Sequence, residues 1–146
     1  IFTETGGAAW RQTIFHPIAD CTRLGHGEVL RLKVNTTTFE SRAHGDIPHL
    51  LATAIHNPQT GDVSIFALNR STEQAMTLSV DLRGLGEGLV MTASTELHHA
   101  NLKQVNTKND EAIRPSVNES ARLSGSALTV VLKPQSWNVF ALKPAR

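Results

Sequence analysis

Apolar and polar residues alternate along much of the chain from residue 27 onward. Leu30, Leu32 and Val34 are separated by Arg31 and Lys33, a period of two that is typical of a half-buried β-strand. This pattern predicts a strand over residues 30–34. Similar apolar or alternating runs predict further strands over residues 50–55, 63–68, 76–82, 89–97, 128–132 and 137–142.

Turn-forming residues separate these runs. The segment 57–62 contains Asn, Pro and Gly and predicts a hairpin turn between the runs on either side of it. Residues 98–120 are polar and predict a long surface connection. Several short strands, with no helical pattern after residue 26, predict a mainly β fold: an antiparallel β-sandwich that is jelly-roll-like.

Residues 1–26 have a different pattern. Apolar residues recur at helical spacing between Ile14 and Leu24, and Gly25 stands where a helix would end. We expect a helix over about residues 9–23, kinked or shortened by Pro17. A strand end over residues 1–4 precedes it. The sequence thus predicts two parts: residues 1–26 as a strand–helix unit that looks like the last one of a barrel enzyme, and residues 27–146 as a β-sandwich domain.

Composition adds few constraints. Hydrophobic residues make up 40% of the chain and charged residues 18%, which is a globular composition. The net charge of +1 gives no electrostatic basis for binding nucleic acid or an anionic membrane, and the apolar runs are too short to span a bilayer. Cys21 is the single cysteine, so an intrachain disulfide is excluded.

The titratable residues form no recognisable catalytic or metal-binding motif. His98 and His99 are adjacent and would face opposite sides of a strand, and no cysteine or carboxylate cluster accompanies them. Glu119 lies in the polar connection and is interpreted as a surface residue. We expect no metal and no cofactor.

Trp10 and Gln12 are the candidate substrate-binding residues. If residues 1–4 end a barrel strand, the loop that follows lies on the face where barrel active sites form. Gln12 could then donate a hydrogen bond to a sugar hydroxyl and accept one from it. The alternative interpretation is a helix N-terminus capped by Thr5, with Trp10 packed in the core.

Several segments, in order along the whole chain, resemble the α-L-arabinofuranosidases of glycoside hydrolase family 51. The first runs from Thr5 to Pro17 and includes Trp10-Arg11-Gln12, and the closing Pro134-Gln135-Ser136-Trp137-Asn138-Val139 is similar to the ending typical of that family. The intervening matches are Gly25-His26-Gly27, the segment 45–50, the segment 65–70 and the segment 97–103.

The resemblance implies a catalytic (β/α)8 barrel followed by a jelly-roll domain, of which this chain is the C-terminal part. Enzymes of the family release terminal α-L-arabinofuranosyl groups from arabinan and arabinoxylan and retain the anomeric configuration through two glutamates. Both glutamates would precede this chain, so neither Glu4 nor Glu119 matches them. Gln12 matches a substrate-contacting glutamine of the family, and Trp10 lies beside it.

The resemblance also sets expectations for partners. It implies an arabinose-containing oligosaccharide or polysaccharide bound through the barrel, and a homo-oligomer of the full-length protein. His16 and His26 depart from the family, which often has Tyr and Arg there. A non-catalytic module for carbohydrate binding or oligomerisation is the alternative, although the absence of Tyr and the presence of only two Trp disfavour a sugar-binding surface.

Overall fold

The computed structural model describes residues 1–145, and these form thirteen strands and one helix. In chain order they are β1 (Phe2–Thr3), β2 (Ala9–Trp10), α1 (Phe15–Leu24), β3 (Glu28–Val29), β4 (Thr38–Ser41), β5 (Gly45–Pro48), β6 (Leu50–His56), β7 (Val63–Asn69), β8 (Met76–Asp81), β9 (Leu89–Leu97), β10 (Ser116–Val117), β11 (Arg122–Ser124), β12 (Ala127–Leu132) and β13 (Ser136–Pro144).

Two antiparallel sheets form the body of the molecule. The larger has six strands in the order β10-β9-β13-β7-β6-β3, and the smaller has three in the order β11-β12-β8. Strand β13 lies inside the larger sheet, where it pairs along its length with β7 on one side and β9 on the other. Two short hairpins, β1–β2 and β4–β5, stand apart from both sheets.

The hydrophobic core lies between the two sheets. Alternate residues of β12 (Leu128, Val130 and Leu132) are buried because a strand presents every second side chain to the same face. They belong to one cluster with Phe140 of β13 and Ile65 of β7. The mainly β antiparallel sandwich predicted from the alternating pattern is therefore confirmed.

Helix α1 covers part of the opposite face of the larger sheet. Leu24 of the helix packs against Ile55, Phe66 and Val139, which point away from the main core. The indole Nε1 of Trp137 in β13 also donates a hydrogen bond to Oδ2 of Asp20 on the helix, at 3.2 Å. The strand–helix segment is thus attached to the sandwich by both apolar and polar contacts.

The predicted start of the helix is wrong. Ala9 and Trp10 form β2 and pair with β1, and the helix begins at Phe15. The reason is local: Gly6 adopts a positive φ of 67°, which closes a hairpin turn and sends the chain back along β1. Thr5 lies in that turn and caps no helix. Pro17 falls in the first turn of α1, where a missing backbone N–H costs little.

The predicted strand over residues 30–34 is also wrong. The ladder with β6 ends at Val29, and after one further hydrogen bond, from Leu30 N to Ala54 O, the chain leaves the sheet edge. A groove of about 560 Å³ separates residues 30–35 from β8. The alternating sequence is present, but this segment has no strand partner among the described residues.

The other predicted strands are present, with small shifts at their ends. The hairpin turn after β6 is closed by Asn57, whose Oδ1 accepts hydrogen bonds from the backbone N–H groups of Gln59 and Thr60. The expected surface connection over 98–120 is only partly correct, since it contains β10 and the buried residues Asn106 and Ile113. No helix within residues 1–145 has the length and apolar character needed to cross a membrane.

Candidate functional site

The segment that carries Trp10 and Gln12 is a hairpin followed by a turn into α1. Glu4 N donates to Ala8 O at 3.0 Å across the hairpin, and Gly7 N donates to Glu4 O at 3.0 Å within the turn. After β2, Phe15 N donates to Gln12 O at 2.9 Å and starts the helix. The two candidate residues therefore lie within three positions of each other, between a hairpin and a helix.

Trp10 is half-buried rather than a core residue. Its ring stacks on Phe2 across the hairpin, with ring centroids 5.8 Å apart and an interplanar angle of 22°. Its Nε1 is shielded from solvent and has no hydrogen-bond partner within the described chain. A buried indole N–H without an acceptor is costly, so this atom is the one polar group of Trp10 that an additional partner could satisfy.

Gln12 is held by the connection between β9 and β10, here called the 98–115 loop (residues 98–115). Its Nε2 donates to the backbone carbonyl oxygen of Asn106 at 2.6 Å. Asn106 in turn donates from Nδ2 to Arg11 O at 3.0 Å. Two residues of the candidate segment are thus tied to one residue that lies more than ninety positions further along the chain.

The side chain of Asn106 also shapes the 98–115 loop itself. Its Nδ2 donates to Ile113 O at 2.8 Å, and its Oδ1 accepts from Ile113 N at 2.9 Å. Asn106 is only 1% exposed and Ile113 is buried with it. Because both ends of the amide are used, the side chain closes the loop and anchors segment 1–14 at the same time.

Charged groups reinforce this contact at the surface. Glu111 Oε1 accepts a hydrogen bond from Arg11 N at 3.1 Å, and Lys108 Nζ lies 3.0 Å from Glu4 Oε1. Both pairs are exposed, so each contributes little stability by itself. The guanidinium of Arg11 also lies over the ring of Phe15, 5.5 Å from its centroid.

This arrangement offers hydrogen bonding but no assembled hydrolytic centre. The carboxylate of Glu4 forms a salt bridge with Lys108, and Glu119 is an exposed residue in the turn before β11. Within residues 1–145, no group of three or more His, Cys, Asp or Glu side chains could hold a metal ion. Gln12 Oε1 accepts no hydrogen bond from the described residues, so it is available to an external donor.

Cys21 is a solvent-exposed thiol on α1. It borders an apolar groove of about 320 Å³ between the helix and the larger sheet, with Leu51, Phe66 and Trp137 on the other side. Partial burial, and next to it the negative charge of Asp20, raise the pKa of the Cys21 thiol. A thiol with a raised pKa is a weaker nucleophile at neutral pH, which disfavours a catalytic role for Cys21.

Trp137 is half-buried and makes its contacts within the chain. Its ring stacks on Phe66, with ring centroids 5.7 Å apart, and its Nε1 donates a hydrogen bond to Asp20.

Asn106 is the residue of this site that the sequence analysis missed. It lies in a mostly polar segment and belongs to no recognisable motif, so the sequence offers no specific signal for it.

In three dimensions the chain is similar to a domain of known glycoside hydrolases. It superposes on the family 51 α-L-arabinofuranosidase AbfB from Bifidobacterium longum with a TM-score of 0.88 and 28% identity, covering 94% of this chain and 27% of that one. The GH51 arabinofuranosidase from Xanthomonas axonopodis pv. citri shares the fold, with a TM-score of 0.77 and 22% identity. The superposition covers 90% of this chain and 26% of that one. The class defined by the fold is a β-sandwich domain of glycoside hydrolases.

The family follows from the sequence. The protein-family model described as the alpha-L-arabinofuranosidase C-terminal domain matches residues 1–136. The chain therefore belongs to this family. It is 34% identical to an intracellular exo-α-(1→5)-L-arabinofuranosidase from Acetivibrio thermocellus, over 97% of this chain and 28% of that protein. It is 37% identical to the enzyme of the same name from Streptomyces lividans, over 94% of this chain and 21% of that protein. The chain thus spans less than a third of the length of these relatives.

Proposed function

We propose that this chain is the C-terminal segment of a retaining exo-α-L-arabinofuranosidase. In this proposal residues 1–26 are the last strand–helix unit of the catalytic barrel, and residues 27–146 are the β-sandwich domain beside it. The parent enzyme releases terminal α-L-arabinofuranosyl groups from arabinan- or arabinoxylan-type chains. Its catalytic glutamates lie outside this chain.

The observation that carries the proposal is the apolar surface on residues 1–26. Ile1 and Phe2 are 74% and 57% exposed, and Ile14, the N-cap residue of α1, and Ile18 within α1 are 64% and 60% exposed. Ile14 and Ile18 are four positions apart and share one face of the helix, which points away from the sandwich. Large apolar residues gathered on one segment mark a surface that another body covers, and the remaining barrel is the body proposed here.

The chain alone is expected to release no arabinose. A retaining glycosidase needs two carboxyl groups about 5 Å apart across the sugar, and one strand–helix unit cannot supply both. The measurement is hydrolysis of p-nitrophenyl α-L-arabinofuranoside and of an α-(1→5)-linked arabino-oligosaccharide by the purified chain. Any release above that of a heat-denatured sample would contradict the placement of the catalytic pair.

In the full-length enzyme, Gln12→Ala is expected to lower kcat/KM by about 10- to 100-fold, which corresponds to about 1.4–2.7 kcal/mol. The physical reason is the loss of an amide that can hydrogen-bond a sugar hydroxyl in a site closed by the barrel. Gln59→Ala, in the exposed turn after β6, is the matched control and should leave kcat/KM unchanged. Equal kinetics for the two variants would remove Gln12 from the substrate site.

The substrate linkage and the assembly are part of the same proposal. The relatives from Acetivibrio thermocellus and Bacillus subtilis are named exo-α-(1→5)-L-arabinofuranosidases, and one from Bifidobacterium longum is named an exo-α-(1→6) enzyme. We therefore take α-(1→5)-linked arabino-oligosaccharides as the first substrate to assay. The homo-oligomer stays a prediction, to be measured by light scattering on the full-length enzyme.

A further inference from the structure

We propose that Asn106 is a positioning residue for the substrate-contacting segment: the 98–115 loop of the sandwich fixes the place and the amide orientation of Gln12. The inference rests on the proposed function only for the role of Gln12. The contact itself is a feature of the described residues, and it can be tested without substrate.

Asn106 connects the 98–115 loop to the segment that carries Gln12. Four hydrogen bonds converge on Asn106: two join it to Arg11 and Gln12, and two close its own loop at Ile113. The two bonds to Ile113 are buried and the two to Arg11 and Gln12 are partly buried, which limits competition from water. Displacement of this one side chain would release the loop and the segment together.

The contact with Asn106 also orients the amide of Gln12. An amide side chain can rotate to present its NH₂ group or its oxygen in a given direction. The backbone oxygen of Asn106 can only accept a hydrogen bond, so it contacts the NH₂ group of Gln12. The distance from Gln12 Nε2 to Asn106 O is 2.6 Å. One N–H of Nε2 is thereby used, so Oε1 and the second N–H of Gln12 are left to bind another group. The contact with Asn106 thus sets the direction in which Gln12 can accept a hydrogen bond from a sugar hydroxyl and donate one to it.

Through this loop the sandwich contributes a contact that the strand–helix unit cannot make alone. Segment 1–14 consists of a hairpin of two short strands, β1 and β2, followed by a turn. Its other side-chain contacts with the 98–115 loop are exposed: Glu4 pairs with Lys108, and Arg11 N donates to Glu111. Within the described residues, this segment therefore depends on the loop for a defined position. Precise placement of a substrate-binding group matters, because a shift of about 1 Å can cost roughly 100-fold in rate.

The test compares Asn106→Ala with Asn118→Ala. Asn118 is also buried and bonded, through Nδ2 to Val131 O at 3.0 Å and through Oδ1 from Ser120 N at 3.1 Å, but its hydrogen bonds do not reach segment 1–14. It therefore controls for the general effect of removing a buried amide. Hydrogen exchange is measured on the chain, and kinetics on the full-length enzyme.

In hydrogen exchange, amides of residues 9–13 are expected to exchange several-fold faster in Asn106→Ala and at the original rate in Asn118→Ala. In kinetics, Asn106→Ala is expected to raise KM for the arabinofuranoside and lower kcat/KM by about tenfold or more, at a temperature where both variants are folded. Equal exchange or equal kinetics in the two variants would reduce Asn106 to a structural residue and overturn the proposal.

A milder variant guards against failure to fold. Glu111 is exposed, so Glu111→Ala removes the acceptor for Arg11 N without opening a buried cavity. It should speed exchange of the Arg11 amide and leave the melting temperature unchanged; an unaltered exchange rate would contradict the positioning role of the loop. Faster exchange in a full-length protein that shows no arabinofuranosidase activity would overturn the proposed function while the positioning contact stands.

Discussion

Replacing Phe140 by alanine is expected to lower the free energy of unfolding by about 3–5 kcal/mol, the range for deleting a large aromatic side chain from a packed core. Phe140 is 0% exposed and lies in the middle of β13, opposite Ile65 of β7 and Ser94 of β9. Its ring joins the buried side chains of both sheets in one cluster. Since domains of this size are stable by about 5–15 kcal/mol, the variant should lose a large part of its folded population.

Chemical denaturation followed by circular dichroism measures this effect. Val131→Ala is the matched control, because Val131 lies on the exposed side of β12 and its truncation should cost less than about 0.5 kcal/mol. A Phe140→Ala variant as stable as the Val131→Ala variant would mean that the two sheets do not share the core described here.

Replacing Asn69 by alanine is expected to cost about 3 kcal/mol, because several buried backbone groups lose their partner and each unsatisfied group costs about 1–3 kcal/mol. The side chain is fully buried at the end of β7. Its Nδ2 lies within 3.1 Å of the carbonyl oxygens of Gln74, Leu132 and Lys133, and its Oδ1 accepts from Ser71 N at 2.9 Å. One amide thus joins β7 to the turn between β12 and β13.

The melting temperature of the variant is the direct measurement. Asn109→Ala removes an exposed asparagine from the 98–115 loop and should leave the melting temperature unchanged. Asn69→Asp separates the two halves of the amide, since it keeps the acceptor for Ser71 and loses the donor. If Asn69→Asp were as stable as the original protein, the contacts of Nδ2 would contribute nothing.

The strands that sequence reasoning predicted share one physical property: each pairs along most of its length with a neighbour and buries one face or both. For β12 and β13 the apolar positions alone gave the element and the buried face. The segment over residues 30–34 has the same alternation and yet forms no ladder, because periodicity reports which face is apolar and not whether a partner strand is available.

The short hairpins were missed for the opposite reason. Thr38–Ser41 and Gly45–Pro48 are polar, half-exposed strands, so they carry no alternating signal. At Gly6 the sequence fits both a hairpin turn and the entrance to a helix, and the contact between β1 and β2 decides in favour of the hairpin. The hydrogen bond between Gln12 and Asn106 joins positions far apart in the chain, and no local sequence pattern predicts such a contact.

The central position of β13 has a consequence for biosynthesis. Its two neighbours, β7 and β9, both precede it in the chain, so a ribosome delivers them with facing edges unpaired. The larger sheet can close only when Ser136–Pro144 has emerged and inserted between strands made earlier. Until then the nascent chain presents two open edges and an unsealed apolar layer, the features that recruit chaperones and promote aggregation. Closure of the larger sheet therefore waits for β13, the last of its six strands to be synthesised.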